Sequence, residues 1–297
     1  MKAPDAAWAF SIRRPLLRSD CSGGFAGRRP GATTRGCRCD RWAMTGAVYR
    51  REMGSDEAID VTFDFRSDTP PGKDPDALSP TLRRYHQLLW SKPLPSSVPF
   101  ELDVTTPGAY LHHRSELGEF FLSSDSVVPS FSRARELKHI INQIPRAETE
   151  AFKRLGYTIG GMLVFPSNQV DRKMTINGQR GCHPRIRDRF DLTLECIRRH
   201  YVDEPSPLSS TLARYADFFG LFGDFAGYVN FFHLQDLVDD GNLAVRFSLP
   251  FEDFTASPLP RTLDAYLGYR ERATWFLESR NQRIAAQVGA YDDKARA

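Results

Sequence analysis

The first regular pattern along the chain is a strict alternation of apolar and polar residues between positions 59 and 66. The apolar positions are Ile59, Val61, Phe63 and Phe65, and polar residues occupy the positions between them. Because successive side chains of a strand point to opposite faces, this alternation predicts a half-buried strand. We take this strand as the start of the folded domain.

Turn residues, a helix and short strands follow. The segment SDTPPGKDPDALSP, residues 67–80, is rich in turn formers, and Ser79 with the proline after it predicts the start of a helix through TLRRYHQLLW. Short segments at residues 100–104, 110–113 and 119–123 are separated by proline and glycine turns. This spacing predicts strands in an antiparallel meander.

Two helices and a buried strand are predicted next. Residues 131–144, FSRARELKHIINQI, carry apolar side chains at helical spacing, and Pro145 predicts the start of another helix that ends near Leu155. The apolar run YTIGGMLVFP then predicts a central strand, buried on both faces, over residues 157–165.

The rest of the pattern is mainly helical. Apolar residues predict helices at 186–201, 208–220, 225–238 and 262–288, with a strand at 243–249. The aromatic residues between positions 215 and 232 recur three and four apart, which predicts a core and not a base-stacking or lipid-binding face. These elements predict an α+β fold: a single compact domain with a small mixed sheet, covered by several helices and a long C-terminal helix.

Charge divides the chain into two parts. Residues 1–54 carry 11 Lys and Arg against 4 Asp and Glu, whereas the remaining chain carries 29 basic and 33 acidic residues. The chain after residue 54, which we call the body, is therefore mildly acidic. This argues against binding of nucleic acid, which depends on basic surface. We interpret residues 1–52 as a disordered basic extension translated ahead of a start at Met44 or Met53, or as a targeting peptide. The domain then spans residues 53–297.

Cysteine usage and hydropathy indicate the compartment. The cysteines of the body are Cys182 and Cys196, a content typical of proteins in a reducing cytoplasm. No stretch approaches the roughly 20 apolar residues that a spanning helix needs. We therefore predict a cytoplasmic protein that makes no membrane contact.

Five blocks of the body resemble a known family. They are FDFRSDTPPGKDPDALSPTLRRYHQLLWSKPLP, YLHHRSELGEFFLSSDS, YTIGGMLVFP, DRFDLTLECIRRHY and FFGLFGDFAGYVNFFHLQDLV. In this order they resemble an uncharacterised bacterial family, a domain of unknown function, over residues 58–285. The resemblance implies a shared fold, and it implies no activity, cofactor or catalytic residue.

The densest polar cluster follows the predicted strand at 157–165. The segment holds Asn177, Gly178 and Gly181, which suit a tight loop whose backbone N–H groups could face an anion. Arg180 offers a forked donor for a carboxylate or phosphate, and His183 could act as an acid or a base. We name Arg180, His183 and Asn177 as candidate ligand-binding residues.

The helix after this loop has a structural interpretation as well. Arg187, Asp191, Glu195 and Arg199 recur four apart, which is typical of a solvated amphipathic face. For these residues we favour that interpretation over a role in ligand binding.

Other candidates are weaker. His112 and His113 are candidate catalytic residues together with His183, although in a strand one of the first two faces inward and one outward. Arg66, flanked by aspartates, is a candidate ligand-binding residue, or it belongs to the solvent-exposed face of a strand. Asp74 and Asp76 fit turn and cap positions better than ligand positions. The sequence predicts no metal site and names no cofactor, since it lacks a phosphate loop, GxGxxG, HExxH and GxSxG.

Two functions therefore remain. In the first, the protein binds a small anion or nucleotide, with or without catalysis, in a pocket at the loop after the strand at 157–165. In the second, it is a non-catalytic protein–protein interaction module that works through the C-terminal helix, which could also form a homodimer contact. We favour the first, because a scaffold does not require Gly, Asn, Arg and His in one loop.

Overall fold

The structure is a computed structural model that describes residues 59–103, 111–132 and 134–296, with side chains up to residue 288. The predicted basic extension, residues 1–52, lies outside these residues. Its disorder, and the single domain from residue 53, therefore stay predictions.

The helices of the described residues are short, apart from the last. They are α1 (Pro75–Leu78), α2 (Pro80–Trp90), α3 (Lys138–Ile141), α4 (Arg146–Gly156), α5 (Ile176–Cys182), α6 (Phe190–Tyr201), α7 (Ser209–Leu212), α8 (Ala216–Gly220), α9 (Phe225–Phe231) and α10 (Leu263–Arg296). Single 3-10 turns lie at Arg135–Leu137, Ile159–Gly161, Ala213–Tyr215 and Gln235–Leu237. The predicted cap of α2 is confirmed, since the Leu82 N–H donates to Ser79 Oγ at 3.1 Å.

The strands form two small sheets. They are β1 (Lys92–Pro93), β2 (Pro99–Phe100), β3 (Leu111–Ser115), β4 (Gly118–Ser126) and β5 (Met162–Pro166). β1 and β2 pair with each other, and the larger sheet has the order β3-β4-β5. The predicted α+β class is confirmed, but every described pairing is antiparallel, so the sheets are not mixed.

The prediction of a central strand over residues 157–165 is wrong in two respects. Regular strand begins at Met162, and β5 lies at the edge of the described sheet, where it pairs with β4. Helix α10 packs against the residues at the start of β5. Asn281 Oδ1 accepts a hydrogen bond from the Gly160 N–H at 2.7 Å, and Arg280 donates to the carbonyls of Gly160 and Met162. Side chains of a helix thus satisfy backbone groups at the start of β5, which is buried throughout.

The predicted strand at 59–66 is also wrong. The segment forms turns in which an oxygen of Asp60 or Asp64 accepts a hydrogen bond from the N–H two residues on. The Phe65 N–H donates to the Tyr157 carbonyl at 3.1 Å, and the Phe65 side chain is buried. The alternation arises because apolar residues reach the core between successive turns, not because the backbone is extended.

Four further elements differ from their predictions. The helix predicted over 131–144 is reduced to a 3-10 turn and α3, and the helices predicted at 208–220 and 225–238 are broken into α7, α8 and α9 with 3-10 turns. The strand predicted at 243–249 is a single bridge from Val245 to Val238. Among the described residues no longer strand lies beside it to extend the pairing.

The solvated face predicted for the helix after residue 186 is wrong. Arg187 precedes α6, and Asp191 and Glu195 are only 4% and 5% exposed. Asp191 pairs with Arg189, and Glu195 pairs with the arginines three and four residues further on. The two carboxylates of this pattern are therefore buried against arginines and do not lie on a solvated face.

The predicted aromatic core is confirmed. All of its members from Tyr215 to Phe232 are buried, with ring centroids as close as 4.9 Å between Tyr228 and Phe232. Leu277 and Ile284 of α10 belong to the same core. Within the described part of the chain, no helix has both the length and the apolar character that a membrane span requires.

Candidate functional site

A polar cleft lies where β4 extends beyond β3. Among the described residues, β3 pairs with β4 as far as Leu122, and residues 123–126 of β4 contact α1 and α5. The cleft has two adjoining compartments of about 500 and 640 Å³. Both are lined by Asp74, Asp76, Asp125, Gly181 and Asp188. Carboxylates therefore dominate the junction between the compartments.

Helix α1 is a single turn that holds Asp76 against β4. Asp74 caps its first turn, and Ser79 ends it while its hydroxyl donates to Asp68 Oδ1 at 2.6 Å. In this position Asp76 Oδ2 accepts from the Ser126 N–H at 3.1 Å. The other oxygen, Asp76 Oδ1, is buried and has no hydrogen-bond partner among the residues that the structure describes. An unsatisfied buried acceptor at a cleft is an unusual feature that calls for a donor.

Arg180 is fully buried beneath the carboxylates. Its Nη1 donates to Asp125 Oδ2 and lies 3.0 Å from Asp188 Oδ1. Nη2 donates to the Asp188 carbonyl at 2.8 Å, and the guanidinium also lies over the Phe165 ring. Its charge therefore offsets two carboxylates of the cleft, and its donors are already engaged.

The two central carboxyl groups have different environments. Burial, together with the charges of Asp125 and Asp74, raises the pKa of Asp76 well above its usual range. Burial also raises the pKa of Asp125, to about 6, although the neighbouring Arg180 opposes this. Among the described residues Asp125 has an ion-pair partner and Asp76 has none, so Asp76 holds a proton more readily than Asp125.

Hydroxyl and amide groups complete the 500 Å³ compartment. Asn177 Nδ2 donates to Ser123 Oγ at 3.1 Å, whereas Asn177 Oδ1 is buried and has no partner in the described part of the chain. Asn177 does not lie in the loop predicted for it: it belongs to α5, which Thr175 caps. Gly178 and Gly181, which were predicted to lie in the same loop, are likewise helical.

Ser124 lies in the cleft but is not an activated nucleophile. Its Oγ is 2.8 Å from His86 Nε2, and the Trp90 Nε1–H donates to His86 Nδ1 at 2.9 Å. Because indole can only donate, Nδ1 is the acceptor and Nε2 carries the proton. Burial also lowers the pKa of His86 to about 3. His86 therefore donates to Ser124, which leaves the serine hydroxyl hydrogen available to another acceptor.

The rim of the cleft contains strained backbone. Arg187 and Asp188 are consecutive residues with φ of 49° and 67°, and Phe131 has φ of 55°. All three line the 640 Å³ compartment. Non-glycine residues in this region are uncommon and tend to gather at functional sites.

The cleft brings together three of the predicted ligand-binding residues. Arg180 lies beneath it, Asn177 lines the smaller compartment and Arg66 lines the larger one. Arg66 is paired with Asp64 and Glu150 at 2.7 Å each. In the part of the chain that the structure describes, no group of three or more His, Cys, Asp or Glu side chains is arranged to hold a metal ion.

The predicted catalytic histidines lie apart from the cleft lining. His183 ends α5, and its Nδ1 accepts from the Arg185 N–H at 3.2 Å. His112 stacks on Phe121 and bonds to a glutamate, while His113 is buried and stacks on Phe100 at 4.1 Å. In the part of the chain that the structure describes, no hydrogen bond or ion pair joins these histidines to the carboxylates of the cleft.

Sequence reasoning missed Asp125 and Asp188, and it assigned Asp76 to a cap. One signal was present: SSDS at the end of β4 is polar at consecutive positions, although one face of a strand over a core is normally apolar. Consecutive polar residues therefore indicate that this end of β4 has polar surroundings on both faces. The proximity of Asp76 and Asp188 to it had no sequence signal.

The fold and this site define an α+β protein whose sheet carries a carboxylate-lined polar cleft. The chain belongs to the family of unknown function DUF6994, whose family model matches residues 59–284. This confirms the resemblance over residues 58–285. No curated protein and no solved structure matches the chain.

Proposed function

We propose that the protein is a hydrolase that binds a small hydroxyl-rich substrate, a sugar or nucleoside, in the cleft and cleaves its glycosidic bond. Asp76 donates its proton to the leaving oxygen or nitrogen as the carbon–heteroatom bond breaks. Asp125 takes a proton from the water that attacks the carbon. Paired carboxyl groups of this kind are the usual machinery of glycoside hydrolysis.

The observation that carries this proposal is the difference between the two carboxyl groups. Asp76 is buried without a cationic partner, whereas Asp125 is paired with Arg180. Two titratable groups whose environments separate their pKa values divide the roles of acid and base between them. Both line the compartments in which a substrate would lie.

The unpartnered acceptors support the substrate class. Asp76 Oδ1 and Asn177 Oδ1 are buried without donors among the described residues, and four carboxylates line the compartments above a guanidinium that pairs with two of them. A ligand here must supply N–H or O–H groups, as sugar hydroxyls do, and Ser124 can donate in return.

The small anion or nucleotide predicted from the sequence has weaker support. Arg66, Lys153 and Arg187 line the larger compartment, but each already faces a glutamate. A phosphate there would have to displace those carboxylates. We therefore expect a nucleoside to bind at least as tightly as its monophosphate, whereas an anion site requires the reverse.

The test is hydrolysis of a panel of 4-nitrophenyl glycosides and ribonucleosides by the full chain, with released 4-nitrophenol or base as the readout. Replacing Asp76 by asparagine should lower kcat by about 10²- to 10⁴-fold, because the proton donor is lost while the shape of the site is kept. Asp74→Asn is the matched control: it removes one charge from the same cleft, and asparagine caps helices as well as aspartate.

We expect Asp74→Asn to change kcat by less than about tenfold, well short of the loss from a missing acid. If kcat falls equally in both variants, the negative charge of the cleft alone matters, and the roles of acid and base assigned to Asp76 and Asp125 are contradicted. A panel without turnover or binding by the wild-type chain would contradict the proposed function itself.

The alternative, an interaction module working through α10, rests on one observation. Leu267 and Trp275 are 41% and 50% exposed on this helix. Most of its other large apolar residues are buried in the core, including Leu277 and Ile284, so the apolar surface left for a homodimer is small. Both the homodimer and the cytoplasmic location stay predictions.

A further inference from the structure

A second cavity, of about 330 Å³, lies beside α10 and does not include the acidic cluster of the cleft. Its floor is apolar and is formed by Val127, Phe190, Leu237 and Phe276, each less than 9% exposed. Trp275 forms part of its wall and is half exposed. A cavity of this size suits a small molecule with an apolar body.

The charge at this cavity is opposite to that of the cleft. Arg246 lines it and is exposed; its backbone N–H donates to the Leu237 carbonyl, but its guanidinium makes no hydrogen bond or ion pair with any described residue. Arg272 also lines it and donates to the backbone carbonyls of Ser248, at 3.0 Å, and Gly268. Two guanidinium groups therefore face the cavity without a carboxylate partner.

The carboxylate among the described lining residues cannot neutralise them. Asp191 Oδ1 accepts from Arg189 Nε and from the Leu192 N–H, both at 3.0 Å. Its Oδ2 accepts from Arg189 Nη2 and from the Ser248 N–H. With both oxygens used and Arg189 paired, this couple is neutral, and the charges of Arg246 and Arg272 remain.

We propose that this cavity is a second binding site, for a small carboxylic acid with an apolar chain or ring. The apolar part packs on Phe190 and Phe276 beside Trp275, and the carboxylate accepts hydrogen bonds from Arg246 and Arg272. The forked guanidinium matches a planar carboxylate. This site does not depend on the hydrolase proposed for the cleft.

Octanoate is the probe, and the tryptophan fluorescence of the full chain is the readout. Octanoate should give a saturable change, and Trp275→Phe should remove that change and so assign it to this cavity. Octan-1-ol and octylammonium have the same chain without the carboxylate, and we expect each to bind at least about tenfold more weakly, because charge-assisted hydrogen bonds are lost.

Arg246→Gln and Arg272→Gln should each weaken octanoate binding about tenfold, the effect of losing one such bond. Arg261→Gln is the matched control, because Arg261 is exposed and is not among the lining residues. Unchanged melting of the variants shows that they fold. Octanol binding as tightly as octanoate, an equal loss in the Arg261 variant, or a change that does not saturate would each overturn the proposal.

Discussion

Replacing Arg280 by alanine should lower the free energy of unfolding by about 3 to 5 kcal/mol, the usual cost of breaking a buried charged network. Arg280 is fully buried in the middle of α10. Its guanidinium donates to the carbonyls of Gly160, Met162 and Phe232 at 2.8 to 3.3 Å. It therefore ties α10 to the start of β5 and to the end of α9.

The expected cost has two sources. Alanine leaves three buried carbonyl groups without these donors, and it leaves a cavity beside Trp90, over whose ring the guanidinium lies. One effect opposes them. Burial lowers the pKa of Arg280 to about 9, which shows that the buried charge is itself unfavourable, so its removal restores part of the lost stability. We expect the lost hydrogen bonds and packing to outweigh this relief.

Urea unfolding of Arg280→Ala and Arg283→Ala measures the difference. Arg283 lies on the same helix, is 40% exposed and pairs with Asp236, so its replacement should cost less than about 1 kcal/mol. If both variants unfold at the same urea concentration, the buried guanidinium does not hold these elements together.

The second large effect is a gain in stability at neutral and higher pH when Asp76 is replaced by asparagine. The pKa of Asp76 is raised by burial and by neighbouring carboxylates, and that of Asp125 is raised from 3.8 to about 6. A carboxyl whose pKa is raised on folding contributes stability below its unfolded pKa, and that contribution is lost as pH rises through the folded pKa.

For Asp125 the shift corresponds to roughly 3 kcal/mol lost between about pH 4 and pH 7. Asparagine at position 76 stays neutral, so it removes the repulsion between the two carboxylates as well as the cost of ionising a buried group. We expect Asp76→Asn to be more stable than the wild type by about 1 to 2 kcal/mol at pH 8, and by much less at pH 5.

Thermal unfolding of both proteins at pH 5, 6.5 and 8 checks this. The difference between them is the meaningful quantity, because the buried His86 and His233 have lowered pKa values and make each protein less stable as pH falls below 6.5. A difference that is constant across pH would contradict a raised pKa at Asp76. A gain in stability with a loss of turnover is the pattern of a functional residue.

The elements that the sequence predicts well are those with local causes. Ser79 and the proline after it define the start of α2, and the three- and four-residue spacing from Tyr215 to Phe232 places the aromatic core. Both features depend on residues that are close in the chain. A cap binds the N–H groups of its own helix, and the apolar face of a helix follows from helical periodicity.

The elements predicted wrongly depend on distant partners. Residues 59–66 alternate like a strand but pair with no strand among the described residues, and the run at 157–165 packs against α10 where the described sheet offers no second neighbouring strand. Asp191 and Glu195 have the spacing of a surface face yet lie buried against arginines. Periodicity indicates which residues share a face, but it does not indicate what covers that face.

The candidate site follows the same division. The sequence by itself determined the α+β class, the helix caps and the presence of a polar cluster after β5, because these follow from local spacing and composition. The tertiary structure alone decided that Arg180 is buried beneath Asp125 and Asp188, and that α1 holds Asp76 against the same strand. Residues 76, 125 and 188 lie far apart along the chain, and their charges act on one another only when α1, β4 and the segment after α5 pack together.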